Sequence, residues 1–130
     1  ATGCSAGGLF STAMAALRSN YVAAAAPNSG GFTVPSAFQG KTIPALMTVH
    51  GKAGVDVVAV DFSTTSATAD KAFKAAGGFV INCDHGGTHC GGGPLAGDIW
   101  KFFKAHPYGT KPSPWAGMLP AGFNSKCKIY

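Results

Sequence analysis

The segment Gly3-Cys4-Ser5-Ala6-Gly7 sets a hydroxyl nucleophile among small residues. A serine that attacks a carbonyl carbon stands on a sharp turn between a strand and a helix, and flanking glycines let neighbouring backbone pass close to it. The helix that follows favours developing negative charge at its N-terminus, and the Ala6 N–H would be one oxyanion donor. The alternative is a Gly-rich turn in which Ser5 caps the helix. A nucleophilic serine needs a base, and the base needs an acid to orient it. The candidate acids are Asp56, six residues beyond His50, and Asp61, five further on. Asp56 is preferred, because Asp61 stands where it can cap the next helix. The candidate bases lie in Asp84-His85-Gly86-Gly87-Thr88-His89-Cys90, where glycines give the loop room to fold over the serine, and His89 is taken as the base. His50 and His106 read as a turn residue after a strand and a helix-end residue.

The four cysteines, Cys4, Cys83, Cys90 and Cys127, allow three disulfide pairings or one metal site. Cys83, His85, His89 and Cys90 are ligand types that zinc accepts. Their spacing is too tight for a usual zinc finger, and adjacent His89 and Cys90 would point their ligand atoms apart, so no metal or cofactor is expected. Scarce charge and abundant Ser, Thr, Gly and Asn suit a secreted protein, in which cysteines pair. Cys4 directly precedes Ser5 and Cys90 directly follows His89. If Ser5 Oγ and His89 Nε2 approach within ~3 Å, a Cys4–Cys90 bridge with Cα atoms ~5.5 Å apart becomes feasible. That leaves Cys83 to pair with Cys127.

These residues require elements to hold them. Leu9, Phe10, Ala13, Met14 and Leu17 recur at helical spacing up to Arg18. Strands are expected at Tyr21 to Ala26, Ala45 to Val49 and Phe79 to Cys83, with a weaker one in Val55 to Val60. A loop runs from Pro27 to about Pro44. Ala67 to Ala76 reads as a helix capped from Ser63 to Ser66 and stopped by Gly77-Gly78. Pro94 opens a further helix with Leu95, Ile99, Phe102 and Phe103 on its inner face, closed by His106-Pro107. Tyr108 to Tyr130 reads as an irregular strap fixed by aromatic packing and a disulfide. Alternating helices and strands predict an α/β fold, a parallel sheet with covering helices.

With 130 residues the chain suffices for one modest core. Charged residues make up 12%, against a usual ~25%, which argues against disorder. The formal charge of +5 raises nucleic acid as a partner, but the cations are scattered and cluster mildly only at Lys101/Lys104 and Lys126/Lys128, so neither nucleic acid nor membrane is expected.

The Cys4-Ser5, Asp56 and His89-Cys90 elements resemble those of secreted serine esterases of the feruloyl esterase and tannase type, whose catalytic triad is linked by a disulfide. Thr2 to Gly8, Ala26-Pro27-Asn28-Ser29-Gly30-Gly31, His50-Gly51 and Cys83 to Gly93 also look like the extracellular polyhydroxyalkanoate depolymerase branch of α/β hydrolases. The resemblance implies a carboxylic-ester hydrolase acting on a plant phenolic ester or a polyester through an acyl-enzyme. In that family about half a domain precedes the serine, so the chain is expected to be a C-terminal half. The strand leading into Ser5 and the loop supplying a second oxyanion N–H would then be missing. A second polypeptide or copies of the chain would cover the open sheet edge. The competing expectation is a catalytically inactive structural subunit derived from such a hydrolase.

Overall fold

The computed structural model describes residues 1–32, 37–40 and 42–130. Part of the loop expected between Pro27 and Pro44 therefore lies outside the described residues. Five strands form one sheet in the order β1 (Thr2–Cys4), β2 (Ala24–Asn28), β3 (Ala45–His50), β4 (Val80–Asp84) and β5 (Cys127–Ile129). The first four run parallel and β5 is antiparallel to β4. The helices are α1 (Ala6–Leu17), α2 (Phe62–Ala75) and α3 (Ala96–Ala105), the last preceded by a 3₁₀ turn at Gly93–Leu95.

Side-chain alternation in the strands divides the core in two. Ala25, Leu46 and Val80 face Ala15, Ala16, Ala69 and Phe73 of α1 and α2. Ala24, Ala26, Met47, Val49, Ile81 and Cys83 face Leu95 and Phe102 on the other side, where Trp115, Leu119 and Phe123 of the C-terminal strap also pack. Both faces are covered, which is why the strands read as continuous apolar runs. The chain is a three-layer α/β structure.

Four sequence expectations change. The strand leading into Ser5 is present: β1 has three residues and pairs Thr2 with Ala26 and Cys4 with Asn28. It is too short and polar to register as a hydrophobic run. The second strand begins later than Tyr21 and includes Pro27 and Asn28. Its paired positions with β3 are Ala24, Ala25 and Asn28, consistent with Pro27 having no N–H to give. Val55 to Val60 forms no strand, only an isolated bridge between Val57 and Asp61. Val57 and Val58 are exposed there while Asp56 turns inward. Finally, the strap ends in β5, whose Cys127 lies opposite Cys83.

Helix α2 starts earlier than the Ala67 read from sequence because Asp61, rather than Ser63 to Ser66, is its cap. The Asp61 carboxylate accepts from the Ser63 and Thr64 amides at 2.9 and 3.2 Å. The helix stops as expected: Gly77 takes φ +84°, its N–H reaches Lys74 O, and the Gly78 N–H reaches Phe73 O.

Candidate functional site

Four parallel strands end on one rim of the sheet, and each delivers a residue of the site there. Strand β1 ends at Cys4, β2 at Asn28 followed by Ser29, β3 at His50 followed by the Asp56 loop, and β4 at Asp84 followed by the His89 loop. In open parallel sheets this carboxyl rim is where ligands bind.

Ser5 stands between β1 and α1 at φ 57°, ψ −121°, a conformation costly for a residue with a Cβ. Its N–H donates to Asn28 O at 3.1 Å and its carbonyl accepts from Leu9 N at 2.9 Å, which hold the turn in place. Its hydroxyl does not cap α1. A Cβ on Gly3 would lie 2.7 Å from the carbonyl carbon of Gly7, and one on Gly8 would lie 2.6 Å from Asn28 O. Gly7 has open space at that position. Close approach at the turn therefore requires Gly3 and Gly8, the second outside the pentapeptide motif.

Asp56 and His89 meet, with His89 Nδ1 2.8 Å from Asp56 Oδ1. The other carboxylate oxygen accepts from the Gly51 amide at 2.8 Å and from Ser29 Oγ at 2.9 Å. Burial, the strongest single influence, pushes this carboxyl up, but the bonds from Gly51, His89 and Ser29 together outweigh it and hold Asp56 below the ordinary carboxylate range. An ionised Asp56 only accepts, so Nδ1 carries the ring proton of neutral His89 and Nε2 is left as an acceptor. The His89 ring packs against Phe62 at 4.8 Å between centroids, and the side chain is 26% exposed, open to a ligand.

Cys4 and Cys90 form a disulfide with Cα atoms 5.8 Å apart, and Cys83 and Cys127 form the other, at 4.0 Å. Both pairings are those expected from the sequence. A ring nitrogen of His89 lies within 4.8 Å of both sulfurs of the Cys4–Cys90 bridge. With both sulfurs in that bridge, no thiolate is left there to bind zinc. Among the described residues Ser5 Oγ makes no hydrogen bond to His89, so the Cys4–Cys90 bridge, rather than a direct bond, ties the Ser5 turn to the His89 loop. Such hydrogen bonds are often long without substrate and tighten when it binds.

Ser29 was not singled out from sequence. It is fully buried at φ 44°, donates to Asp56, and accepts from the Cys90 N–H at 2.9 Å. One hydroxyl thus ties Asp56 to the loop carrying His89. The signal available was its place in Pro27-Asn28-Ser29-Gly30-Gly31, directly after a buried strand. Cys90, itself at φ 60°, has a third fastening, as Asn28 Nδ2 donates to its carbonyl at 3.3 Å.

The other candidates separate cleanly. Asp61 is spent on the α2 cap and on the Gly54 amide. His85 accepts from the Gly87 amide through Nδ1, and its Nε2 is buried without a partner. Burial lowers its basicity. His50 donates to Gly51 O and accepts from Asn82 Nδ2, whose amide also reaches Asp70. Asp70 is fully buried, takes a further bond from Thr48 Oγ1 at 2.8 Å, and is pushed up to about 6 by burial. Among the described residues no helix is long and apolar enough to cross a membrane. No protein-family model matches the chain, and no curated protein or solved structure matches it.

Proposed function

We propose that the chain is a serine carboxylic-ester hydrolase of α/β-hydrolase type, secreted, and built on Ser5, His89 and Asp56. The observation that carries this reading is the Asp56–His89 hydrogen bond of 2.8 Å on a loop that the Cys4–Cys90 bridge fastens next to Ser5. In this reading His89 Nε2 takes the Ser5 proton as Oγ attacks the ester carbonyl, and Asp56 stabilises the imidazolium. The oxyanion forms at the first turn of α1, where the Ala6 N–H has no intrahelical acceptor. The acyl carbon–oxygen bond then breaks, and His89 returns the proton to the departing alkoxide. Water attacks the acyl-enzyme, gives its proton to His89, and frees Ser5 and the acid. The substrates proposed are feruloyl-type phenolic esters or polyesters. Two disulfides support secretion.

A catalytically inactive assembly subunit is the second reading. It is favoured by β1, a three-residue strand at the sheet edge with no partner on its outer side among the described residues. A second polypeptide or another copy of the chain would cover that edge. Release of p-nitrophenolate from p-nitrophenyl butyrate by the wild-type protein, abolished in Ser5→Ala, is the expected result. No hydrolysis above the Ser5→Ala background would leave the assembly reading.

A further inference from the structure

A second serine is paired with a histidine at the opposite end of the sheet. His106 caps the C-terminus of α3 and is 2% exposed. Its Nδ1 lies 2.8 Å from Phe102 O and its Nε2 lies 2.8 Å from Ser113 Oγ. A carbonyl can only accept, so Nδ1 carries the ring proton and Nε2 of the neutral ring accepts from the Ser113 hydroxyl. Burial lowers the basicity of His106, which keeps it neutral. The imidazole is locked by Phe79, stacked at 5.2 Å, and by Phe102 and Trp115, with centroids 4.6 and 5.1 Å away. A hydroxyl bonded to a base that a third group orients is the arrangement of an activated nucleophile.

Ser113 also lines an open cleft of about 230 Å³, walled on one side by Ile43, Phe79 and Ile129 and bordered by Lys74, Thr110 and Lys111. Neither that cleft nor its residues belong to the Ser5 site. We propose that Ser113 is a second nucleophile, activated by His106, that accepts small apolar acyl groups from activated esters entering this cleft. Ser113 Oγ bonds to the acyl carbon, the bond to the leaving oxygen breaks so that it departs as a phenolate-type anion, and the Ser113 proton passes to His106 Nε2. The Trp115 N–H donates to Ser113 Oγ at 3.0 Å and fixes the hydroxyl's position beside His106. No carboxylate stands behind His106, so attack is slower than at a triad.

The test uses a fluorophosphonate, which bonds through phosphorus to an activated serine oxygen with loss of fluoride. The Ser5→Ala protein is labelled and digested, and the modified peptide is identified by mass spectrometry. Label on Ser113, at a rate at least tenfold below that of Ser5 in the wild type and absent from Ser5→Ala/Ser113→Ala, is the expected result. An unlabelled Ser5→Ala protein, or label on another residue, would overturn the proposal and leave Ser113 as a cap for the Trp115 amide. Ser5 reactivity in the wild type is read on its own peptide, so the two sites succeed or fail separately.

Discussion

His89 and His106 occupy opposite ends of one sheet, and both have Nδ1 committed to an oxygen. Behind His89 stands a buried, ionised carboxylate held by Gly51 and Ser29, and the ring is partly open to solvent. Behind His106 stands a backbone carbonyl, and the ring is sealed among aromatic side chains. A proton taken up by His89 meets a countercharge within 2.8 Å, whereas one taken up by His106 meets only a dipole. The group behind the imidazole therefore sets how far each histidine can act as a base, and the access around it sets what can reach it.

Asp56→Asn breaks this difference most completely, because an amide cannot stabilise an imidazolium and can offer a donor to Nδ1. We expect kcat for ester hydrolysis to fall on the order of 10³- to 10⁴-fold. Fluorophosphonate labelling of Ser113 should be unchanged in the same protein, and steady-state kinetics with peptide mapping checks both.

The Cys4–Cys90 bridge comes next. Replacing both cysteines with serine releases the loop that sets His89 beside Ser5, and on folded protein at low temperature we expect a loss of about a hundredfold in kcat/KM. Because the bridge joins residues 86 apart, its loss also costs about 4.6 kcal/mol of stability. Urea titration separates the two effects.

Ser29→Ala is the smaller version of that experiment. It leaves the bridge intact but removes the bond to Asp56 and deprives the Cys90 N–H of its acceptor. About a tenfold loss in kcat with little change in KM is expected.

Much of this contrast could be read from residue order. The Cys4-Ser5 and His89-Cys90 adjacencies point to one bridge, and the place of Asp61 ahead of α2 marks it as a helix cap. The strands at Ala45 and Phe79 stood out because burial on both faces leaves them uniformly apolar. Strand β1 did not, since Thr2-Gly3-Cys4 carries no hydrophobic signal and gains its conformation from pairing with β2. Val55 to Val60 misled for the opposite reason: its β-branched side chains face solvent, and the loop is shaped by turning Asp56 inward. The roles of Ser29 and Ser113 depend on contacts 27 and 7 residues away, which no local pattern announces.

The last expected effect is on stability rather than rate. Asp70 is raised to about 6 from a carboxylate's ordinary 3.8, so the folded state holds its proton more tightly than the unfolded chain does. Stability from this group is complete below pH 3.8 and is lost as pH rises through 6, amounting to about 2 to 3 kcal/mol. Asp56, shifted downward, contributes the other way and only in more acidic solution. Between pH 7 and pH 5 Asp70 therefore adds resistance to urea, opposed by His85 and His106, whose burial lowers their basicity and costs stability as pH falls. Asp70→Asn should remove the Asp70 share and leave the protein more sensitive to urea at pH 5 relative to pH 7 than the wild type.

Trapping the intermediate is the most direct test of the central claim. The wild-type protein is quenched in acid within the first turnovers of p-nitrophenyl butyrate, digested and analysed by mass spectrometry. A butyryl ester is expected on the peptide carrying Ser5, accumulating to near one per chain when Asp56→Asn slows its hydrolysis more than its formation. Turnover with no adduct at Ser5, or an adduct confined to another residue, would contradict the claim.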